Sequence, residues 1–146
     1  MAIHLIHGSE PYLIQLAIDK LLPGDGTIRY QEFTNETAIT LSSLSLFGDI
    51  SVLVTVDNLK ELDQKYFWNY IDIPSEKTML VIRVRNVDKR LSAYARLRKS
   101  PAVMMHEIGK ADENTMKKFI QSIVLRRGSS ITDGEIQKIL ESAVLA

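Results

Sequence analysis

The stretch Ser45-Leu-Phe-Gly-Asp-Ile50-Ser-Val-Leu-Val-Thr-Val56 holds a helix end, a glycine stop and an apolar strand in immediate succession. The run Ile50 to Val56 is nearly continuous in its apolar character rather than strictly alternating. A strand of that composition is buried on both faces, which is the condition of a parallel sheet covered by helices. Thr78 to Val84 repeats the pattern. Ala2 to His7, with Ile3, Leu5 and Ile6 inside, and Ala102 to Ile108 read as two further strands. Helical spacing fills the intervals between them. The predicted fold class is therefore α/β, with a mostly parallel, doubly wound, open sheet and helices on both faces.

Local signals place those helices. Pro11 suits a first helical turn, Ser9 or Glu10 can cap it, and Ile14, Ala17, Ile18 and Leu21 share one face before Pro23, Gly24 and Gly26 end the element. Thr27 to Phe33 alternates Ile28 and Tyr30 against Arg29, Gln31 and Phe33, as in a strand near a sheet edge. Thr34 or Asn35 can cap a short helix with Ala38, Leu41 and Leu44 inward and Gly48 as its stop. Further helices are predicted over Leu59–Ile71, with Leu62, Tyr66, Phe67 and Tyr70, and over Asp88–Lys99 and Asn114–Arg127. Gly128 stops the last of these. Thr132 and Glu135 then form a capping box for a C-terminal helix with Ile136, Ile139, Leu140, Ala143 and Val144 in a stripe. The domain reading is an α/β domain over residues 1–128, with 129–146 as the truncated start of a small helical domain; the alternative is that this last helix packs on the one over Asn114–Arg127.

Composition narrows the function. The chain has 146 residues, 45% apolar and 25% charged, which suffices for one core without staples. It contains no cysteine, which excludes disulfides and thiolate metal sites and suits a cytoplasmic protein. Its formal net charge is +0, so no global field recruits nucleic acid or membrane. Met1 to His7 lacks the features of a signal peptide, and no stretch approaches the ~20 apolar residues of a membrane span.

The usual reaction centres are missing their parts. Where a phosphate-binding loop would follow the first strand, the chain has Gly8-Ser9-Glu10-Pro11-Tyr12. The lysine is absent, Glu10 would repel phosphate, and Pro11 removes a backbone donor. Asp57-Asn58, after the second apolar strand, offers one carboxylate and one amide where a magnesium-dependent hydrolase needs two acids. Asp57 also suggests a phosphoacceptor of the receiver-domain kind, but His7-Gly8-Ser9 supply no acidic pair and His106 to Ile108 no lysine. His4, His7 and His106 lack metal-ligand spacing, and no serine lies in a nucleophile elbow. No catalytic residue, cofactor site or metal site is predicted.

Two features remain. Arg83, Arg85, Lys89, Arg90, Arg96, Arg98 and Lys99 cluster in sequence, with Lys89, Arg96 and Lys99 placed near one helix face. That pattern fits a solvated face, or contact by Lys89, Arg90, Arg96 and Lys99 with nucleic-acid phosphate or an acidic partner. The other is Leu46-Phe47. Phe47 either folds back over the helix end as a cap contact or stands out as an anchor. Each such side chain leaving water is worth about 1.5–3 kcal/mol, the scale of an interface hot spot.

The order of these pieces resembles the N-terminal domain of the delta subunit of the bacterial DNA polymerase III clamp loader. The matching residues are Gly8 to Ile14 after the opening strand, Ser45-Leu46-Phe47-Gly48-Asp49 running into Ile50 to Val56, Asp57-Asn58-Leu59-Lys60, and Val87-Asp88-Lys89-Arg90. The resemblance implies a degenerate AAA+ core, P-loop-like but without a working nucleotide site. It implies an accessory, non-catalytic subunit acting in DNA replication, with the sliding clamp as partner. Leu46 and Phe47 would be the clamp-binding wedge, with Leu44 and Ser45 flanking, and binding would favour the opened clamp. Other loader subunits would be partners of a longer chain, and DNA would be touched weakly or indirectly. The family continues into a helical domain and a collar domain, so the resemblance casts this chain as a fragment or a short relative. A nucleotide-binding or phosphoaccepting α/β domain is the alternative.

Overall fold

The computed structural model describes residues 3–109. Its strands are β1 (Ile3–Gly8), β2 (Ile28–Tyr30), β3 (Ile50–Asn58), β4 (Thr78–Asn86) and β5 (Val103–Ile108). The helices are α1 (Pro11–Leu21), α2 (Asn35–Leu44), α3 (Lys65–Asp72) and α4 (Ser92–Lys99). The strands form one sheet in the order β2-β3-β4-β1-β5. The pairs β2 with β3, β3 with β4 and β1 with β4 are all parallel. The β3–β4 ladder is the longest, running from Ile50 opposite Thr78 to Asn58 opposite Asn86. The expected α/β architecture is present, and the edge position of β2 also matches expectation.

Described residues fall into two compact units, 3–7 with 22–107, and 8–21 with 108–109. In the first, Ile3, Leu5, Val52, Val54, Val56, Leu80, Ile82 and Val84 line one face of the sheet and join Leu41, Phe67, Trp68, Ile71, Ala93 and Leu97 in one core. The alternate positions Ile6, Leu53 and Val81 are also out of water, so the central strands are buried on both faces. That is why their sequence lacks alternation. In the second unit, α1 buries Leu13, Ile14, Ala17, Ile18 and Leu21, the stripe that its helical spacing predicts.

The structure corrects several local expectations. Phe33 does not share a strand face with Arg29 and Gln31; it lies past β2 and inside the core. It sits edge-on to Phe67 at 5.1 Å and stacks with Tyr66 at 6.3 Å, both favourable aromatic geometries. Leu44 is not inward, since α2 buries only Thr37 and Leu41. The predicted helix over 59–71 is two elements, a 3-10 turn at Leu59–Glu61 and α3. Asn58 and Glu61 close a capping box that starts the first, and the second starts at Gln64. The helix expected from Asp88 begins only at Ser92, because Asp88 caps a turn with Arg90 and Leu91. The helices predicted over 114–127 and within 129–146, and the boundary at 128, lie outside the described residues.

Candidate functional site: an exposed apolar tip

Helix α2 is fixed at its start by Thr34. The Thr34 hydroxyl accepts the Thr37 N–H at 3.2 Å, and the Thr34 N–H donates to the Thr37 hydroxyl at 3.1 Å, so two otherwise orphaned backbone donors are satisfied. At its far end the helix tightens into a 3-10 turn over Ser45–Phe47. Ser45 donates its hydroxyl to the Ser42 carbonyl at 2.9 Å and is itself buried. Gly48 then takes φ 141° and ψ −170°, a conformation open to glycine and costly for any residue with a Cβ. The Ile50 N–H donates to the Lys77 carbonyl at 2.9 Å, which brings the chain into β3. The tip is thus held by the helix on one side and the sheet on the other.

Its two large side chains point outward. Leu46 is 80% exposed and Phe47 is 89% exposed. The fold-back of Phe47 over the helix end does not occur. Gly48 directs the chain away in an extended conformation, so no following residue returns to make a cap contact with Phe47. Of the flanking residues, Leu44 is at the surface, whereas Ser45 faces inward and spends its hydroxyl on the backbone. Ser45 therefore shapes the tip from within.

The tip is not isolated. Ile39 is 57% exposed and Ile73, just past α3, is 84% exposed. Five of the six large apolar side chains exposed among the described residues lie on α2, on its terminal turn or at the end of α3, the sixth being Tyr12 on α1. Such concentration, as opposed to single scattered residues, marks an interaction surface. Ile39 and Ile73 were not singled out from sequence. Ile39 precedes Leu46 by two helical turns, and that spacing is the signal that could have found it.

The basic cluster divides into separate local pairings. Lys89 is not on α4; it pairs with Glu107, which raises the Lys89 pKa and lowers that of Glu107. Arg90 makes a two-point contact with Asp88, lowering the carboxyl pKa. The Arg96 guanidinium lies over the Trp68 ring at 4.2 Å, and the Trp68 indole donates to the Asp63 carboxylate at 2.8 Å. Lys99 is exposed at the end of α4. The four residues do not share one helix face.

At the carboxyl ends of the strands, polar groups are committed internally. The Ser9 N–H donates to the Ile108 carbonyl at 2.9 Å, and a Cβ on Gly8 would collide with that same carbonyl. The Glu61 carboxylate accepts the N–H groups of Asp57 at 2.7 Å and Asn58 at 3.1 Å. The Asp57 carboxylate accepts from Arg85 at 3.3 Å. His7 is buried against Tyr94, and burial lowers its pKa. Away from those ends, His4 near the start of β1 and His106 within β5 stack and share a hydrogen bond at 2.9 Å. Among the described residues, no three His, Asp or Glu side chains are grouped to hold a metal ion. No described helix is long and apolar enough to cross a membrane.

The fold has known counterparts. The chain superposes on the Bacillus subtilis DNA clamp loader delta protein (YqeN) with a TM-score of 0.56 and 16% identity, covering 99% of this chain and 52% of that one. It also superposes on a DNA polymerase III gamma subunit-related protein from Thermotoga maritima, with a TM-score of 0.51 and 12% identity, covering 99% of this chain and 53% of that one. This chain thus shares the fold of these two structures and spans about half the length of each. No protein-family model matches the sequence, and no curated protein matches it significantly.

Proposed function

We propose that this chain is a clamp-loader module of the delta type, an accessory part of a DNA polymerase III holoenzyme with no catalytic site of its own. On this reading it acts in the cytoplasm during DNA replication. It inserts Leu46 and Phe47 into an apolar pocket on the sliding clamp and favours the opened clamp. The single observation that carries the reading is the exposure of two large apolar side chains on a tip braced from both sides. Burying them in a partner's pocket would contribute about 1.5–3 kcal/mol each. A braced tip loses little conformational freedom on docking, so more of that gain survives as affinity. Opening follows if the tip binds the sprung clamp better than the closed one, by the ratio of the two affinities and no more.

The internal use of Ser9 N–H, Asp57 and Asn58 supports a structural role for the loops where a nucleotide enzyme would place its phosphate and magnesium groups. The proposed whole has an AAA+-like domain over 1–128 and the start of a helical domain after it. Lys89, Arg90 and Arg96 make local contacts, and with Lys99 they offer a contact for nucleic-acid phosphate or an acidic partner, so that DNA is reached weakly or through partners. Other loader subunits would join a longer chain.

The test replaces Leu46 and Phe47 with alanine and measures binding to the cognate sliding clamp by calorimetry, with circular dichroism as a folding control. Unchanged affinity in a folded variant overturns the reading. Titration with ATP and magnesium addresses the alternative: no heat and no shift in Tm are expected, and saturable binding would favour a nucleotide-using domain instead.

A further inference from the structure

Between α2 and α3 lies an open groove of about 350 Å³. Its walls are Ala38, Ile39 and Ser42 on α2 and Tyr66, Asn69 and Ile73 on or just past α3, with further lining from these same two helices. No lining residue carries a charge, in a chain that is 25% charged. Small side chains on the α2 wall leave room for another backbone to approach. Tyr66 and Asn69 supply amphipathic surface and hydrogen-bonding groups on the other. Depletion of charge with tyrosine present is the composition of an interface centre.

The groove adjoins the tip. Ser42 precedes Leu46 by one helical turn, and Ile39 precedes it by two, about 10 Å along the axis. Area also argues that the two surfaces are used together. Phe47 offers roughly 150–250 Å² and the smaller Leu46 less. A stable interface buries about 800 Å² per partner. A body seated on the tip must therefore cover further surface beside it, and the adjacent uncharged surface is this groove.

We propose that the α2–α3 groove is a second contact for the sliding clamp, taking an uncharged segment of the clamp surface that borders the pocket for Leu46 and Phe47. This inference rests on the tip reading and deepens it. It adds Ile39, Ser42 and Ile73 to the contact and gives the docked partner a fixed orientation, because two separated contacts prevent rotation about the tip.

The experiment measures binding of the full chain to the purified cognate clamp by surface plasmon resonance. Three variants are compared: Ser42→Arg, which puts bulk and charge into the groove; Ile73→Asp, at a position so exposed that folding is indifferent to it; and the Leu46→Ala/Phe47→Ala pair. At least a tenfold loss of affinity is expected for Ser42→Arg and about fivefold for Ile73→Asp, with circular dichroism and Tm unchanged. Should Ser42→Arg fail to fold, Ile73→Asp alone decides. Wild-type affinity in the folded groove variants, with binding lost in the double alanine variant, overturns the groove and leaves the tip reading standing. Wild-type affinity in all three overturns both. Loss in the groove variants with none in the double alanine variant keeps the groove as a clamp contact and overturns the tip.

Discussion

Helix α2 has a phenylalanine beyond each of its ends, and the two have opposite surroundings. Phe33, just ahead of the Thr34 cap, is enclosed by Tyr66, Phe67 and Tyr70. Phe47, in the turn that follows the helix, is almost wholly in water. The side chains are identical, so hydrophobicity does not account for the difference. Chain direction does. A hydrophobic residue ahead of an N-cap packs back over the first turns of its helix, and here that brings Phe33 against the aromatic side chains of α3. At the other end Gly48 takes a conformation that leads the chain into β3 without a return contact. One phenylalanine builds the fold; the other is held out by it.

This contrast can be broken at several points, in order of expected effect. Phe33→Ala should destabilise the protein by about 3–5 kcal/mol in chemical denaturation, because it empties the centre of an aromatic cluster. Leu46→Ala/Phe47→Ala should leave stability within about 0.5 kcal/mol while lowering clamp affinity by roughly a hundredfold or more. A large loss of stability in that double variant would show the two ends of α2 to be alike after all. Gly48→Ala meets no steric neighbour but keeps the strained backbone, so a cost of about 1–3 kcal/mol is expected in thermal unfolding. Clamp affinity should fall with it as the tip is re-aimed, which distinguishes a shaped tip from a merely greasy one. Thr34→Ala should cost about 1 kcal/mol through loss of the cap, the smallest of the four effects.

The legibility of the sequence follows the same division. The parallel sheet was readable because the central stretches of β3 and β4, Val52–Val54 and Leu80–Ile82, are apolar at consecutive positions and buried on both faces. The stripe of α1 was readable because helical spacing alone sorts Ile14, Ala17, Ile18 and Leu21 to one side. The split of the helix predicted over 59–71 was not, since apolar residues such as Leu62, Phe67 and Tyr70 continue on both sides of the break between the Leu59–Glu61 turn and α3. The basic cluster read as one patch because Asp88 was its only acid in sequence; Glu107, brought alongside Lys89 by the fold, was invisible there.

By itself, the order of apolar runs and turn residues pointed to a covered parallel sheet, because strands apolar on both faces need cover on both sides and the helical spacing between them supplies it. It also determined that the loops after β1 and β3 lack the lysine and paired acids of nucleotide chemistry. Whether Phe47 would face in or out was decided by the tertiary structure together with the turn at Gly48. Burial depends on which surface lies opposite a side chain, and that surface is assembled from segments distant in sequence. The α2–α3 groove has the same origin: its walls come from two helices whose adjacency no local pattern encodes.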